Sequence, residues 1–135
     1  MKYLIMMYSS QNDFDLMTGR AGAFAPDDFA PMHEFMESFT KDLVDSGELV
    51  DTQGLDAPVH ARRVQLRDGV PVVTDGPYAE TQEVLAGYWV VDCESFDRAT
   101  QIAARLSACP SPGDVFADGY ADVRPILEYA PQPEL

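Results

Sequence analysis

Every position from 3 to 8 is apolar, with Tyr3, Ile5 and Met7 alternating against Leu4, Met6 and Tyr8. A strand there is apolar on both faces and belongs in the middle of a sheet covered on both sides. Residues 9–25 carry Ser, Asn, Gly and Asp without steady periodicity and read as a loop. Pro26-Asp27-Asp28 then offers a helix start, with acidic residues suited to the positive end of the helix dipole. Phe29, Met32, Met36, Phe39 and Leu43 recur at helical spacing, and Gly47 supplies a left-handed cap. Pro31 is tolerable only in the first turn, so the helix starts close by.

Residues 48–55 predict a second strand. The clearest local signal is Arg63-Val64-Gln65-Leu66-Arg67, then Asp68-Gly69, then Val70-Pro71-Val72-Val73-Thr74. An Asp-Gly pair between alternating runs is a two-residue hairpin turn, because both residues accept positive φ. Pro71 cannot donate to a ladder and places its strand at an edge. Residues 85–91 form another strand apolar on both faces. Ser95 caps a helix over 96–108, with Phe96, Ala99, Ile102, Ala103 and Leu106 inward and Asp97 at the positive end, and Pro110 and Pro112 end it. Residues 121–129 predict a last strand and 131–135 a tail.

The order is β-α-β, a hairpin, then β-α-β, the ferredoxin-like split βαβ plan of an α+β fold with a hairpin inserted at its middle. Two helices on one face of a four-stranded sheet leave the other face open. The first strand and the Trp89 strand are nevertheless apolar on both sides, more than soluble monomers usually expose. A homodimer whose sheets face each other is the expected solution, with the space between them the place for a small-molecule ligand.

Composition narrows the partners. The 135 residues hold 9 Lys+Arg against 23 Asp+Glu, a formal charge of −14. Nucleic acid and anionic membrane surfaces demand a clustered basic face that nine cations do not supply. Residues 27–56 alone balance to −8. At 46% hydrophobic residues the chain is too apolar for disorder, and its length supports one domain over residues 1–130. No signal peptide or membrane span is read. Cys93 and Cys109 make neither a disulfide framework nor a CxxC site, so cytoplasmic residence with reduced thiols is expected. Phosphate loops, metal-ligand clusters and nucleophile elbows are not found, and no cofactor is expected.

Val73-Thr74-Asp75-Gly76-Pro77-Tyr78-Ala79-Glu80-Thr81-Gln82-Glu83, followed by Leu85-Ala86-Gly87-Tyr88-Trp89, strongly resembles the DGPF signature of the YCII-related superfamily. The opening Met1-Lys2-Tyr3 and the late Val123-Arg124-Pro125-Ile126 extend the resemblance over nearly the whole chain, and Tyr78 stands where the family usually has Phe. The resemblance implies a dimeric α+β barrel and says little of activity. Some relatives, YciI-like proteins and a dehydrochlorinase, use a His with an Asp in a cleft. Pro31-Met32-His33 matches their Pro-x-His pattern. Their Asp precedes a Pro after the second helix, where this chain has Cys109-Pro110, so the dyad's second member is missing. Asp75, Asp114 and Asp118 are the substitutes.

His33 sits about 100° around the helix from the apolar stripe, a boundary position where an oriented imidazole serves as acid or base, or else a half-exposed histidine among Glu34 and Glu37. His60 has no partner pattern and reads as a surface loop residue. Asp75-Gly76-Pro77-Tyr78 is first of all a turn; in the functional reading Asp75 and Tyr78 stand at the cleft mouth, Tyr78 donating to a ligand oxygen. Arg62, Arg63 and Arg67 either bind a carboxylate ligand or else protect an edge strand or pair with neighbouring acids. Arg124, on a strand bordering the core, either meets a ligand or pairs with Glu128 or Asp122. Tyr88 and Trp89 point to opposite faces, one toward the helices and one toward the dimer cavity. The expected function is lyase-, isomerase- or dehalogenase-like proton transfer by His33 on a small oxygenated compound. The alternative is a non-catalytic ligand-binding or regulatory module, since related domains occur alongside transcription-initiation factors.

Overall fold

The computed structural model describes residues 1–128, so the predicted strand end at Tyr129 and the tail at 131–135 lie outside the described residues. Strand β1 (Lys2–Ser9) is followed by helix α1 (Gln11–Met17), helix α2 (Ala30–Asp45) and strand β2 (Leu49–Gly54). The hairpin β3 (Arg62–Arg67) and β4 (Val70–Asp75) comes next, then β5 (Val84–Asp92), helix α3 (Phe96–Ala104) and β6 (Ala121–Pro125). The chain is thus α+β with antiparallel sheets, and no closed barrel forms among the described residues.

Helix α1 corrects the reading of residues 9–25 as a loop. Its seven residues are too few to display a helical period and none of them is buried, but Ser10 caps it. The Ser10 hydroxyl accepts from the Asp13 N–H at 3.2 Å while the Asp13 carboxylate accepts from the Ser10 N–H at 2.9 Å, a reciprocal capping box. The start of α2 also differs from expectation. Pro26–Phe29 form a 3-10 turn in which Asp28 accepts from the Ala25 N–H at 2.9 Å, and the α-helix proper begins at Ala30 with Pro31 in its first turn. Helix α3 ends earlier than predicted, its last turn tightening to 3-10 over Arg105–Ala108.

Four strands pair in the order β2-β5-β1-β6, every neighbour antiparallel. Tyr3 and Ile5 lie opposite Val91 and Trp89, and this face is buried under Phe39 and Leu43 of α2 and Ala99 and Ile102 of α3. Leu4 and Met6 lie opposite Val90 and Tyr88 on the other face, where no helix packs among the described residues and these side chains are only half-buried. The doubly apolar strands therefore have one covered face and one unpartnered face.

The hairpin forms its own two-stranded sheet. Asp68 and Gly69 both have positive φ, 51° and 77°, the turn whose twist matches that of the flanking strands. Pro71 pairs with Leu66 where every strand is an edge. All twelve strand residues are exposed. One face of this arm carries Val64 and Leu66 against Val73 and Pro71, exposed and uncovered, with the Arg62–Asp75 pair on the same face at its root.

Candidate functional site

The residues singled out from sequence do not converge. His33 is exposed on α2, with no carboxylate in hydrogen-bond or ion-pair reach among the described residues. The Cys109 thiol does come within 4.0 Å of the Met32 carbonyl oxygen, so the segment after α3 reaches the residue preceding His33. Burial pushes that thiol's pKa up, so it stands there as a neutral thiol rather than a carboxylate. The Asp75 carboxylate accepts from Arg62 Nε at 3.1 Å across the base of the arm.

Trp89 is buried on the helix side of the sheet, its ring edge-on to Phe39 at 5.2 Å and its Nε1–H donating to Thr40 Oγ1 at 3.1 Å. Tyr88 faces the open side, and its hydroxyl donates to Asp51 at 3.2 Å. Burial, then that bond, raises its pKa, so it remains a phenol at neutral pH. Arg124 lies opposite Leu4 on the same open side, but β6 is an edge strand and the guanidinium is exposed rather than bordering the core. Neighbouring Asp122 accepts from Tyr8 at 2.9 Å.

Tyr78 is different. It walls an open groove of about 340 Å³ together with Leu55, Pro58, Val84, Leu85 and His60. His60 Nδ1 stands 3.0 Å from the Asp56 carboxylate. This is the one histidine–carboxylate pair among the described residues, and neither member was expected in a site. The local sequence explains it: Pro58 opens a 3-10 turn over Pro58–His60, bringing positions 56 and 60 together. The second Asp56 oxygen accepts from the Ala57 N–H at 2.7 Å. That backbone bond first, and His60 second, hold the Asp56 carboxyl below the usual carboxylate range. With Nδ1 turned to Asp56, Nε2 is the ring nitrogen left to meet a ligand.

Two segments lock this turn in place. The Gly76 N–H donates to the Ala61 carbonyl at 2.8 Å, tying the Asp75-Gly76-Pro77-Tyr78 turn to the His60 turn. Gly76 has φ +54°, and a Cβ there would lie 3.3 Å from the Val59 oxygen, so position and conformation both demand glycine. Helix α1 clamps the His60 turn from outside, the Gln11 side-chain oxygen accepting from the Val59 N–H at 2.9 Å, and it also holds the segment after Tyr78, the Asn12 N–H donating to the Glu80 carbonyl at 3.0 Å. The Arg63 guanidinium stands over the Tyr78 ring, 5.5 Å from its centroid. The arrangement combines a carboxylate-paired imidazole and a phenol on the wall of an apolar groove, with a cation against the phenol's ring, the elements of an acid–base site for a small molecule.

A second hollow of about 250 Å³ lies beside Met1 and Ile126, where the terminal ammonium donates to Asp92 at 2.8 Å and to the Cys93 carbonyl at 3.1 Å. Among the described residues, no group of three or more His, Cys, Asp or Glu side chains is placed to hold a metal ion, and no helix is long and apolar enough to cross a membrane.

The family model for the YCII-related domain matches residues 1–128. An uncharacterised protein of Rhizobium meliloti (strain 1021) is 34% identical over 97 residues, covering 71% of this chain and 73% of that protein. The chain therefore belongs to the YCII-related family.

Proposed function

We propose that this YCII-related protein carries out acid–base chemistry on a small oxygenated organic compound bound in the groove beside Tyr78. His60 is the base, Asp56 its orienting partner and Tyr78 a hydrogen-bond donor to the substrate. The observation that carries this reading is the His60–Asp56 contact at 3.0 Å on the rim of a groove whose other walls are apolar. An ionised carboxylate at Nδ1 fixes the ring and stabilises the imidazolium formed when Nε2 takes a proton. His33 on α2 is the competing location, with the Cys109 thiol in place of the expected acid.

Solvent deuterium incorporation tests this directly. A panel of small ketones, 2-oxo acids and β-keto acids in D₂O, followed by proton NMR, should include at least one compound whose C–H exchange the protein accelerates. His60→Gln should slow that exchange about 10²–10⁴-fold, while His33→Ala leaves it near wild type. Loss in His33→Ala alone moves the site to α2. No accelerated exchange across the panel overturns the acid–base reading.

The working unit in this reading is a homodimer of ferredoxin-like protomers closing a shared α+β barrel, resident in the cytoplasm. The order β2-β5-β1-β6, the open sheet face and the uncovered Val64, Leu66, Pro71 and Val73 support it. The arm over residues 62–75 carries a net charge of +1 against −15 for the rest of the chain, so it is attracted to the acidic body of a second copy. Sedimentation velocity at micromolar concentration should return a dimer; a compact monomer would overturn this.

A further inference from the structure

Arg63 is the cation in the groove's neighbourhood without an assigned task. Arg62, Arg98 and Arg105 each hold a carboxylate, Asp75 at 3.1 Å, Glu48 at 2.7 Å and Asp42 at 2.6 Å. Arg63 has no such partner among the described residues, in a chain with 23 acidic side chains. Its guanidinium is instead placed over the Tyr78 ring at 5.5 Å. A guanidinium held against an aromatic ring by its charge keeps its N–H groups for a second partner, and a planar two-oxygen anion matches their fork. The apolar walls formed by Leu55, Pro58, Val84 and Leu85 suit a carbon skeleton.

We infer that the groove selects small molecules bearing a carboxylate, which Arg63 anchors beside Tyr78 while His60 faces the reacting part of the same molecule. The inference rests on the groove being the acid–base site. The overall charge of −14 makes it specific: anions are repelled from most of this surface, so an anionic ligand needs a cation already placed at its site. Replacing that guanidinium by a neutral side chain leaves the groove's shape but removes the bidentate partner.

The experiment pairs acids with their neutral amides: acetate with acetamide, benzoate with benzamide, phenylacetate with phenylacetamide. Binding is read by thermal shift and by perturbation of the His60 imidazole resonances in ¹⁵N-labelled protein. At least one acid should bind saturably and at least tenfold tighter than its amide. Arg63→Gln should weaken that acid at least tenfold, to the level of the amide, with the melting temperature of the free protein unchanged. Lys2→Gln, far from the groove, should not. Equal binding of acid and amide, or an Arg63→Gln protein that binds the acid as wild type does, overturns the carboxylate assignment and leaves the acid–base groove standing. Failure of every acid and every amide to perturb His60 overturns both.

Discussion

Glu48 receives the densest set of charged hydrogen bonds among the described residues. Arg98 grips it from Nε and Nη2 at 2.9 and 2.7 Å, and the Ser46 hydroxyl adds a third bond at 2.9 Å. The Arg98 bonds, opposed in part by burial and aided by Ser46, hold the Glu48 carboxyl below its ordinary 4.5. A folded value below the unfolded one means that the stabilisation is fully present above the unfolded value and is lost as pH falls through the folded one. Glu48→Gln should therefore cost about 1.5–3 kcal/mol at pH 7 in urea unfolding, with the gap from wild type shrinking as the pH falls below the ordinary 4.5 and through the lowered folded value. Gly76 supports function more directly. Its left-handed φ and the Val59 oxygen 3.3 Å from any Cβ predict that Gly76→Ala costs about 1–2 kcal/mol and displaces the His60 turn, seen as altered His60 resonances.

Helix α1 holds the site although it contributes no side chain to the groove's lining. Removing its cap with Ser10→Ala should cost about 0.5–2 kcal/mol. The amides of Val59 and Asn12 should then exchange faster, while those of β1 and β5 keep their protection; uniform acceleration across the sheet would show that α1 is not a local clamp. This helix also shows where sequence reading stops. The strands, α2, α3 and the hairpin were legible because their apolar positions repeat with a period, and Asp68-Gly69 declared its turn. Seven residues are too few to show a period, which leaves the capping box as the signal. The His60–Asp56 pair was hidden for a related reason: four residues bring two side chains together only if the backbone curls, and Pro58 starting a turn was the available clue. Tyr78 could be singled out because the Asp-Gly-Pro turn fixes where it emerges, and its side chain lines the groove. Arg124 was misjudged on burial, since alternation gives the face of a strand but not its rank in the sheet.

Across the whole molecule, the acidic balance of residues 27–56 lies on α2 and its flanks, while the arm is basic at its root and apolar along one face. Val64→Lys together with Leu66→Lys should shift a dimer toward monomer in sedimentation without unfolding the four-stranded sheet, because neither residue touches its core. The order of that sheet also sets a timetable. Strand β1 has partners on both edges, and neither exists until much later: β5 begins at Val84 and β6 at Ala121. At translation rates of about 5–20 residues per second, the first strand waits roughly 4–16 s before β5 has been made. Throughout that interval a run of apolar, strand-forming residues has no native place to go. A chain cut after Glu83 should accordingly show no cooperative unfolding transition by circular dichroism. In the cell, newly made β1 is a segment for a holding chaperone to shield until its neighbours arrive.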